Sequence, residues 1–413
     1  MPSGLLEHLR VLDLTDERGL LCGRLFADLG ADVVQVEPLG GSTARQAPPV
    51  AEQTGVSLYW ETYAAGKRGV SVDLDDDASV ERIRALARVS DVVITSWPRA
   101  LVERLGLDPL AVHEDNPRAI YTVISGFGWD GPKAEYADTD LVVWAAGGPL
   151  APHRDGDRPP LRISVPQAYL HASADAAAGA LIAVLARAQH DCGQVVDVSA
   201  QAAIGVATLA RVLATAVGDD HPEWQTTPGR PTGGRTDQSG SGAATPNSLK
   251  KWYCRDGMVE LHLSMGPAAG AFTNNLFRWI AEEGGVDEPI ASWDWRVVPD
   301  QLVSGELSHD QLDEARAAVR AFLLGKTKAE VLEGAIERRL LCMAIFDMSD
   351  IAGSPHLAYR DFWGAVPMPG ADAPVAVPGR IAQVRGPAGP MVAGAAPAIG
   401  EHDDVVFKEW LAR

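Results

Sequence analysis

The sequence predicts an α/β fold built on a parallel sheet that helices cover on both faces. Two observations in the N-terminal half favour it: short apolar strand candidates recur, and helical patterns separate them. Strands buried on both faces read as nearly continuous apolar runs. Strands that alternate with helices pair in parallel. We therefore expect one doubly covered sheet in this half of the chain.

The individual elements follow from the same patterns. Asp77 is a plausible N-cap for one helix, and Ser125–Gly128 ends the fifth strand at the edge where open α/β sheets form their ligand crevice. The predicted strands are Leu9–Leu14, Ala31–Val36, Gly69–Leu74, Asp91–Thr95, Ala119–Ile124 and Gln194–Val198. The predicted helices are Cys22–Leu29, Asp77–Val89, Leu101–Leu105 and Ser173–Gln189.

A change in composition predicts a second, smaller domain. From Gly218 to Thr245 the chain is dense in Gly, Pro, Thr and Ser, which is typical of a long loop. Trp252–Leu263 then reads as a hairpin that turns at Asp256–Gly257. Helices are expected near Phe272–Glu283 and Leu312–Leu324, and the Pro-, Ala- and Gly-rich tail Gly370–Ile399 is expected to wrap over the surface.

Charge and cysteine usage exclude several classes of protein. The 413 residues carry 36 Lys and Arg against 55 Asp and Glu, a net charge of -19, which argues against binding nucleic acid or an anionic membrane. The four cysteines lack the spacing of a zinc site or a disulfide framework, so we expect free thiols. The apolar run Ala176–Ala186 is too short to span a bilayer. We expect a soluble cytoplasmic protein without a metal.

Short segments along nearly the whole chain carry a family resemblance through their joint order and spacing. On them the chain resembles family III CoA-transferases, which include the formyl-CoA and carnitine CoA-transferases and the α-methylacyl-CoA racemases. The segments are Val11–Thr15, Leu29–Pro38, Gly66–Arg68, Glu103–Leu107, Asn116–Arg118, Ser125–Gly128 with Gly131–Pro132, Ala145–Gly148, Gly193–Ser199 and Ser354–Leu357.

The resemblance implies the architecture and the substrates. It implies a Rossmann-like large domain, a smaller α+β domain, and an interlocked, ring-like dimer in which each chain threads the other. It also implies acyl-CoA, with coenzyme A as the carried group, and a carboxylic acid as the second substrate. The expected boundaries are 1–217 for the large domain, 218–245 for the linker loop, 246–325 for the small domain and 326–413 for a return to the large domain.

Tyr169 stands where the family transferases carry the aspartate that becomes acylated. A carboxylate suits that step because it is ionised at neutral pH and leaves readily. A phenol, with a pKa of about 10, needs a depression of roughly 3 units to be substantially ionised at pH 7, which costs on the order of 4 kcal/mol. Nothing in the local sequence supplies an obvious cation. The usual nucleophile is therefore expected to be missing.

Other positions that the resemblance marks as catalytic also differ or stay ambiguous. The first loop, Asp16–Leu21, lacks the family's Gly-Pro pair, and Thr139 stands where the racemases carry a histidine. Asp140 matches an acidic position near the site and is either a base or a capping carboxylate. His171 is either an imidazole base or a capping or packing residue.

The residues for CoA recognition are better preserved. The resemblance places the adenine and phosphates near Ser96–Arg99, where Trp97 offers a stacking face and Arg99 and Arg104 offer phosphate donors, unless these arginines simply face water. The glycine-rich loop Gly233–Gly242 either closes over the site or is merely flexible. The predicted cofactor-binding residues are Ser96, Trp97, Arg99, Arg104, Lys67, Arg68 and Lys133.

Three functions follow from these residues. The first is a noncatalytic subunit of a heteromeric CoA-transferase, like that of benzylsuccinate CoA-transferase, whose partner is a paralogue that keeps the aspartate. The second is a homodimeric acyl-CoA isomerase, racemase or hydrolase that uses Tyr169, His171 or Asp140. The third is a CoA-thioester binding protein without turnover.

Overall fold

A computed structural model describes residues 4–52, 54–150, 159–206, 212–213, 216–218, 250–379 and 394–412. The chain divides into two compact units. The first comprises Met1–His153, Pro160–His221 and His356–Arg413, and the second comprises Arg154–Pro159 and Pro222–Pro355. The predicted linker 218–245, apart from Gly218, lies outside the described residues, and so does the glycine-rich loop Gly233–Gly242.

The first unit contains the predicted sheet, which has six parallel strands in the order β3-β2-β1-β4-β5-β6. The strand order reverses between β1 and β4. The connection after β1 runs toward β2, and the connection after β4 runs in the opposite direction, toward β5. At such a reversal the loops part and form a crevice. The strands are β1 Arg10–Leu14, β2 Asp32–Pro38, β3 Arg68–Val72, β4 Val92–Thr95, β5 Ile120–Ser125 and β6 Gln194–Ser199.

Helices connect these strands close to the predicted positions. The N-cap of α3 is Asp76 rather than Asp77, because the Asp76 carboxylate accepts a hydrogen bond from the backbone N–H of Ser79 at 2.8 Å. The helices are α1 Leu20–Asp28, α2 Leu58–Tyr63, α3 Asp77–Arg88, α4 Arg99–Arg104, α5 Pro109–Asp115, α6 Asp140–Gly147, α7 Ala168–His190 and α8 Ala200–Gly205, with a 3₁₀ turn at Thr43–Gln46.

The sheet is buried on both faces, as the apolar runs predicted. Successive strand side chains point to opposite faces, so Leu12 and Val34 join one hydrophobic cluster while Val11 and Val33 join another. The first cluster includes side chains of α3, α4 and α5. The second includes side chains of α1, α7 and α8. A strand in this position needs apolar residues at nearly every place.

Helix α7 is longer than predicted, because it begins at Ala168 rather than at Ser173. By length and composition the whole helix could cross a membrane, whereas the run Ala176–Ala186 alone is too short. Its most apolar window is 44% buried, and it packs against β5, β6, α1 and α8. The helix that covers a sheet passes the same test, so this is weak evidence for a span.

The second unit is built on a three-stranded antiparallel sheet. Its first hairpin has Cys254 opposite Gly257, so Arg255 and Asp256 form the turn, one residue earlier than predicted. The strands are β7 Lys251–Cys254, β8 Gly257–Leu261 and β9 Cys342–Ile345. The helices are α9 Gly270–Glu282, α10 Val298–Ser304, α11 His309–Leu324, α12 Lys328–Arg338 and α13 Met348–Ala352, with a 3₁₀ turn at Ile290–Ser292.

The second unit extends beyond residue 325. Strand β9 pairs with β8, with Cys342 opposite Leu261, and α12 packs against both strands. The return to the first unit therefore begins at His356 and not at residue 326. Strand β9 pairs with a strand some eighty residues earlier in the chain, and a pairing this distant leaves no local signal in the sequence.

The C-terminal residues complete the first unit. The Gly66 N–H donates to the carbonyl of Ala395 in the tail, at 3.1 Å. The Trp410 indole N–H donates to the Asp32 carboxylate at 2.8 Å, which fixes the last helix near the edge of the sheet. Residues 380–393 lie outside the described part. The remaining elements are α14 Pro355–Tyr359, β10 Trp363–Val366, β11 Val375–Pro378 and α15 Asp403–Leu411.

A buried ion pair lies between the sheet and α1. The Lys67 ammonium donates to the Asp13 carboxylate at 2.7 Å, and to the Leu20 carbonyl and the Gln35 side-chain oxygen at 2.9 Å each. All three protons are used. A Cβ on Gly23 would lie 1.9 Å from the Asp13 carboxylate, so only glycine allows α1 to approach this closely. The pair thus holds β1, β2 and α1 together.

We expect Lys67→Met to lower the free energy of unfolding of the first unit by about 3 to 5 kcal/mol, because it leaves the buried Asp13 carboxylate unpaired. Urea denaturation followed by circular dichroism measures the loss. Lys133→Met is the matched control, because Lys133 is exposed. Equal stability of the two variants would contradict a role for this pair in holding the unit together.

Candidate functional site

The candidate site lies at the carboxyl ends of β1 and β4, where the strand order reverses. Asp16 follows β1 and Ser96 follows β4. The Asp16 N–H donates to the Ser96 hydroxyl at 2.9 Å, and that hydroxyl donates to the Asp16 carboxylate at 2.8 Å. These two hydrogen bonds connect the loops on either side of the reversal and fix the start of the first loop.

Arg18 carries the positive charge of this site. Its guanidinium makes a bidentate pair with the Asp16 carboxylate, with contacts of 2.7 and 3.0 Å, and reaches the Asp138 carboxylate at 3.4 Å. Burial opposes the charge, but the hydrogen bonds and charge of Asp16 raise the pKa of Arg18 above its usual value. Arg18 therefore stays ionised and is shared between two carboxylates.

Tyr169 lies in the first turn of α7 and is buried in the hydrophobic cluster that covers the sheet. Its side chain is 8% exposed, and its hydroxyl donates to the backbone carbonyl of Asp138 at 2.8 Å. The ring packs as an apolar group, and the one proton of the hydroxyl is committed. The phenol thus behaves as a hydrogen-bond donor in a packed position.

The environment of Tyr169 disfavours the phenolate. Burial is the largest cause that raises its pKa well above 10, and the hydrogen bond and charge of Asp138 act in the same direction. The charge of Arg18 opposes this rise but does not cancel it. The structure does supply a cation, from a loop far away in the sequence, and burial outweighs it. At neutral pH the group is protonated.

Asp138 approaches this position because residue 126 is a glycine. A Cβ on Gly126 would lie 2.2 Å from the Asp138 Cβ, so any larger residue there would push Asp138 away. The Gly126 carbonyl in turn accepts the N–H of Gln201 at 3.0 Å. The segment Ser125–Gly128 at the end of β5 thus positions the carbonyl that Tyr169 uses.

Asp140 is engaged by the start of α7. One carboxylate oxygen accepts the N–H groups of Gln167 and Ala168 at 2.8 Å each, and the other accepts a guanidinium N–H of Arg162 at 2.8 Å. The carboxylate therefore caps α7 although it lies in α6. This geometry matches the capping alternative for Asp140 and leaves little capacity for a proton transfer.

His171 does not share the environment of Tyr169. Side chains two positions apart on a helix point to nearly opposite sides. His171 is accordingly exposed, while Tyr169 is buried. The structure thus separates the two candidates. A role for His171 as a base for a group beside Tyr169 has no geometric support.

Two of the predicted CoA contacts, Ser96 and Trp97, are committed inside the unit. The Ser96 hydroxyl donates its hydrogen bond to the Asp16 carboxylate, as described above. Trp97 is 9% exposed and belongs to the hydrophobic cluster on the other face of the sheet. Its ring therefore offers little surface for stacking with a base.

Lys67 and Arg68 are also engaged within the unit. Lys67 is fully buried in the network with Asp13, and its three protons are used there. Arg68 pairs with Asp32 and with Glu409 of the C-terminal helix. Both residues hold elements together, and Lys67 has no free donor for a ligand.

The remaining predicted contacts are Arg99, Arg104 and Lys133, which reach solvent. Arg99 is paired with Glu103 at 2.7 Å and with Asp130 at 2.8 Å. The Arg104 side chain is 54% exposed and approaches Asp75 at 3.4 Å. Lys133 is exposed. Arg104 and Lys133 are therefore the two with most freedom to meet a phosphate.

Arg18 and Asp138 are site residues that the sequence did not single out. Arg18 lies in the short first loop Asp16–Leu21, and Asp138 directly precedes Thr139 and Asp140. The available signal was that both segments follow parallel strands, whose carboxyl ends meet at one edge of the sheet. Across the described ranges, no group of three or more His, Cys, Asp and Glu side chains could hold a metal ion.

The chain matches known proteins along most of its length. The family model described as CoA-transferase family III matches residues 6–403. The succinyl-CoA:(R)-benzylsuccinate CoA-transferase subunit BbsE of Thauera aromatica is 31% identical over 358 residues, which are 86% of this chain and 82% of that protein. The succinyl-CoA:mesaconate CoA-transferase of Haloarcula hispanica is 26% identical over 407 residues, which are 97% of this chain and 94% of that protein.

The fold also matches a solved structure. The CAIB/BAIF family protein from Brucella suis aligns with a TM-score of 0.77 over 99% of this chain and 100% of that one, at 19% identity, which is a likeness of fold. The family model and the relatives cover most of the chain, and the parallel sheet agrees with the fold of the solved structure. The chain belongs to CoA-transferase family III, the family predicted from its sequence.

Proposed function

We propose that this chain is the noncatalytic subunit of a heteromeric family III CoA-transferase. Its partner is a paralogue that carries an aspartate where this chain has Tyr169. In this assembly the partner's carboxylate attacks the acyl-CoA thioester and forms the mixed anhydride, and CoA leaves as the thiolate. This chain contributes structure and substrate contacts.

The state of Tyr169 carries the proposal. A nucleophile must present a lone pair to the substrate, and a weak one must be activated by a base or by a lowered pKa. The Tyr169 hydroxyl is buried, donates its hydrogen bond to the Asp138 carbonyl, and has a raised pKa. All three features oppose attack on a thioester.

The neighbouring candidates do not replace it. A self-sufficient isomerase, racemase or hydrolase needs a free acid or base close to the substrate carbon. Both oxygens of Asp140 accept hydrogen bonds from Arg162 and the start of α7, and His171 is exposed on the other side of that helix. These contacts favour a subunit that relies on its partner.

The relatives support the substrate class. One is named as a subunit of a succinyl-CoA:(R)-benzylsuccinate CoA-transferase and another as a succinyl-CoA:mesaconate CoA-transferase. We propose a succinyl-CoA-type donor and a carboxylic acid acceptor for the heteromer, in the cytoplasm. Arg104 and Lys133 are the exposed cations that we propose as phosphate contacts.

When the purified heteromer is incubated with succinyl-CoA and hydroxylamine, we expect an aspartyl hydroxamate on the partner subunit and no adduct on this chain. The reason is that hydroxylamine traps acylated carboxylates, and this chain offers a protonated phenol at the matching position. Mass spectrometry of tryptic peptides locates the adduct. A hydroxamate on Asp140, or an acylated Tyr169 in a parallel sample quenched without hydroxylamine, would overturn the proposal.

A second experiment incubates this chain alone, without its partner, with succinyl-CoA and hydroxylamine. We expect no transfer of CoA to an acceptor acid and no trapped adduct. Restoring the partner should restore both, and a partner variant with aspartate changed to asparagine should abolish both. Turnover by the isolated chain would sink the noncatalytic assignment and favour the homodimeric alternative.

Tyr169 is expected to remain a phenol at ~pH 10, where a free tyrosine is half ionised. Because its pKa is raised in the folded state, its contribution to stability is fully present below ~pH 10 and is lost as pH rises further. The ultraviolet difference spectrum between the wild type and Tyr169→Phe measures its ionisation, with N-acetyltyrosinamide as the reference. A tyrosinate signal from Tyr169 near neutral pH would contradict this account.

A further inference from the structure

The second unit contains a cleft that plays no part in the site described above. It has a volume of about 300 Å³ and lies where the end of α12 meets α9. Three arginines line it in a chain whose net charge is -19, together with two glutamates and an asparagine. The lining residues that matter are Asn275, Arg278, Glu282, Glu337, Arg338 and Arg339.

One of the arginines, Arg338, is fixed in place. Its guanidinium pairs with Glu337, lies 3.7 Å from the Glu282 carboxylate, and stacks over the Trp279 ring at 4.9 Å from the centroid. The Asn275 amide donates to the Arg338 carbonyl at 2.9 Å. Arg338 therefore offsets charge from the two glutamates and forms a rigid part of the cleft.

The other two arginines are less committed. The Arg278 guanidinium donates to the Asn275 side-chain oxygen at 3.0 Å. Within residues 250–355 neither Arg278 nor Arg339 forms an ion pair with a carboxylate. Two guanidinium groups that line one cleft thus keep most of their donors unused, and each fork can bind a planar oxyanion with two hydrogen bonds.

Arg339 adopts a backbone conformation that is unfavourable for residues other than glycine. It is the C-cap of α12 and has a φ of +56°, in the left-handed region where glycine is favoured. An L residue with a long side chain is strained there, so folding alone would select glycine. This conformation places the Arg339 side chain in the lining of the cleft, beside Arg278 and Arg338.

We propose that this cleft binds a compact oxyanion, a carboxylate or a phosphate, between Arg278 and Arg339. Arg338 acts as a positioning residue that offsets the charge of Glu282 and Glu337. The three arginines and two glutamates of the cleft sum to one positive charge. This charge suits a small anion better than an extended polyanion. This site goes beyond the proposed transferase function and does not rest on it.

Isothermal titration calorimetry of the full chain at low ionic strength tests the site, with inorganic phosphate and succinate as separate probes. We expect one anion per chain, and about tenfold weaker binding in each of Arg278→Ala and Arg339→Gly, because each removes one charged fork. Arg339→Gly should be at least as heat-stable as the wild type, because glycine relieves the positive φ. The tighter of the two probes identifies the ligand class.

Two controls separate this site from general effects. Arg320→Ala removes the same charge from the exposed surface of α11, and Asp191→Gly relieves a φ of +55° at the end of α7. Both should bind the anions as the wild type does. The proposal is overturned if the wild type binds neither probe, if Arg278→Ala binds unchanged, or if Arg320→Ala loses as much affinity. The trapping experiment on the heteromer is independent of every one of these outcomes.

Discussion

The buried contact between Lys67 and Asp13 is the interaction on which the first unit's site depends. It joins the end of β1, the side chain of Gln35 on β2 and the first turn of α1 through one ammonium group. Asp13 also accepts the N–H of Thr15, where the first loop begins. Burial lowers the pKa of Lys67, and the Asp13 charge is the main influence that opposes this. The loop that carries Arg18 therefore begins at a charged anchor inside the unit.

From this anchor a series of hydrogen bonds and ion pairs runs through the site. Ser96 holds Asp16, Asp16 holds Arg18, and Arg18 reaches the carboxylate of Asp138, whose carbonyl accepts the proton of Tyr169. Each donor in this chain has an acceptor within the unit. The Tyr169 hydroxyl is thus hydrogen-bonded inside the unit, and no base or lowered pKa activates it.

The sequence predicted what depends on local patterns. Strands such as Val92–Thr95 are apolar throughout, and that run alone indicates a sheet buried on both faces. The sequence could not show that Trp97 lies in the core, because a single tryptophan carries no local signal that distinguishes a buried side chain from an exposed one. It also missed the cation near Tyr169, because Arg18 reaches it from another loop. Strand β9 was missed because its pairing with β8 spans some eighty residues of chain.

The phenol of Tyr169 suits its buried place in the fold. An aspartate here would lie among apolar side chains of the cluster and beside the Asp138 carbonyl, and burial of that kind raises the cost of holding a charge. The phenol packs its ring against those side chains and donates a hydrogen bond to a carbonyl that a carboxylate could only repel. A catalytic chain must tolerate that cost because it needs the carboxylate. In this chain the position is a packing site at the start of α7, because the ring belongs to the buried cluster and the hydroxyl donates a hydrogen bond to the Asp138 carbonyl.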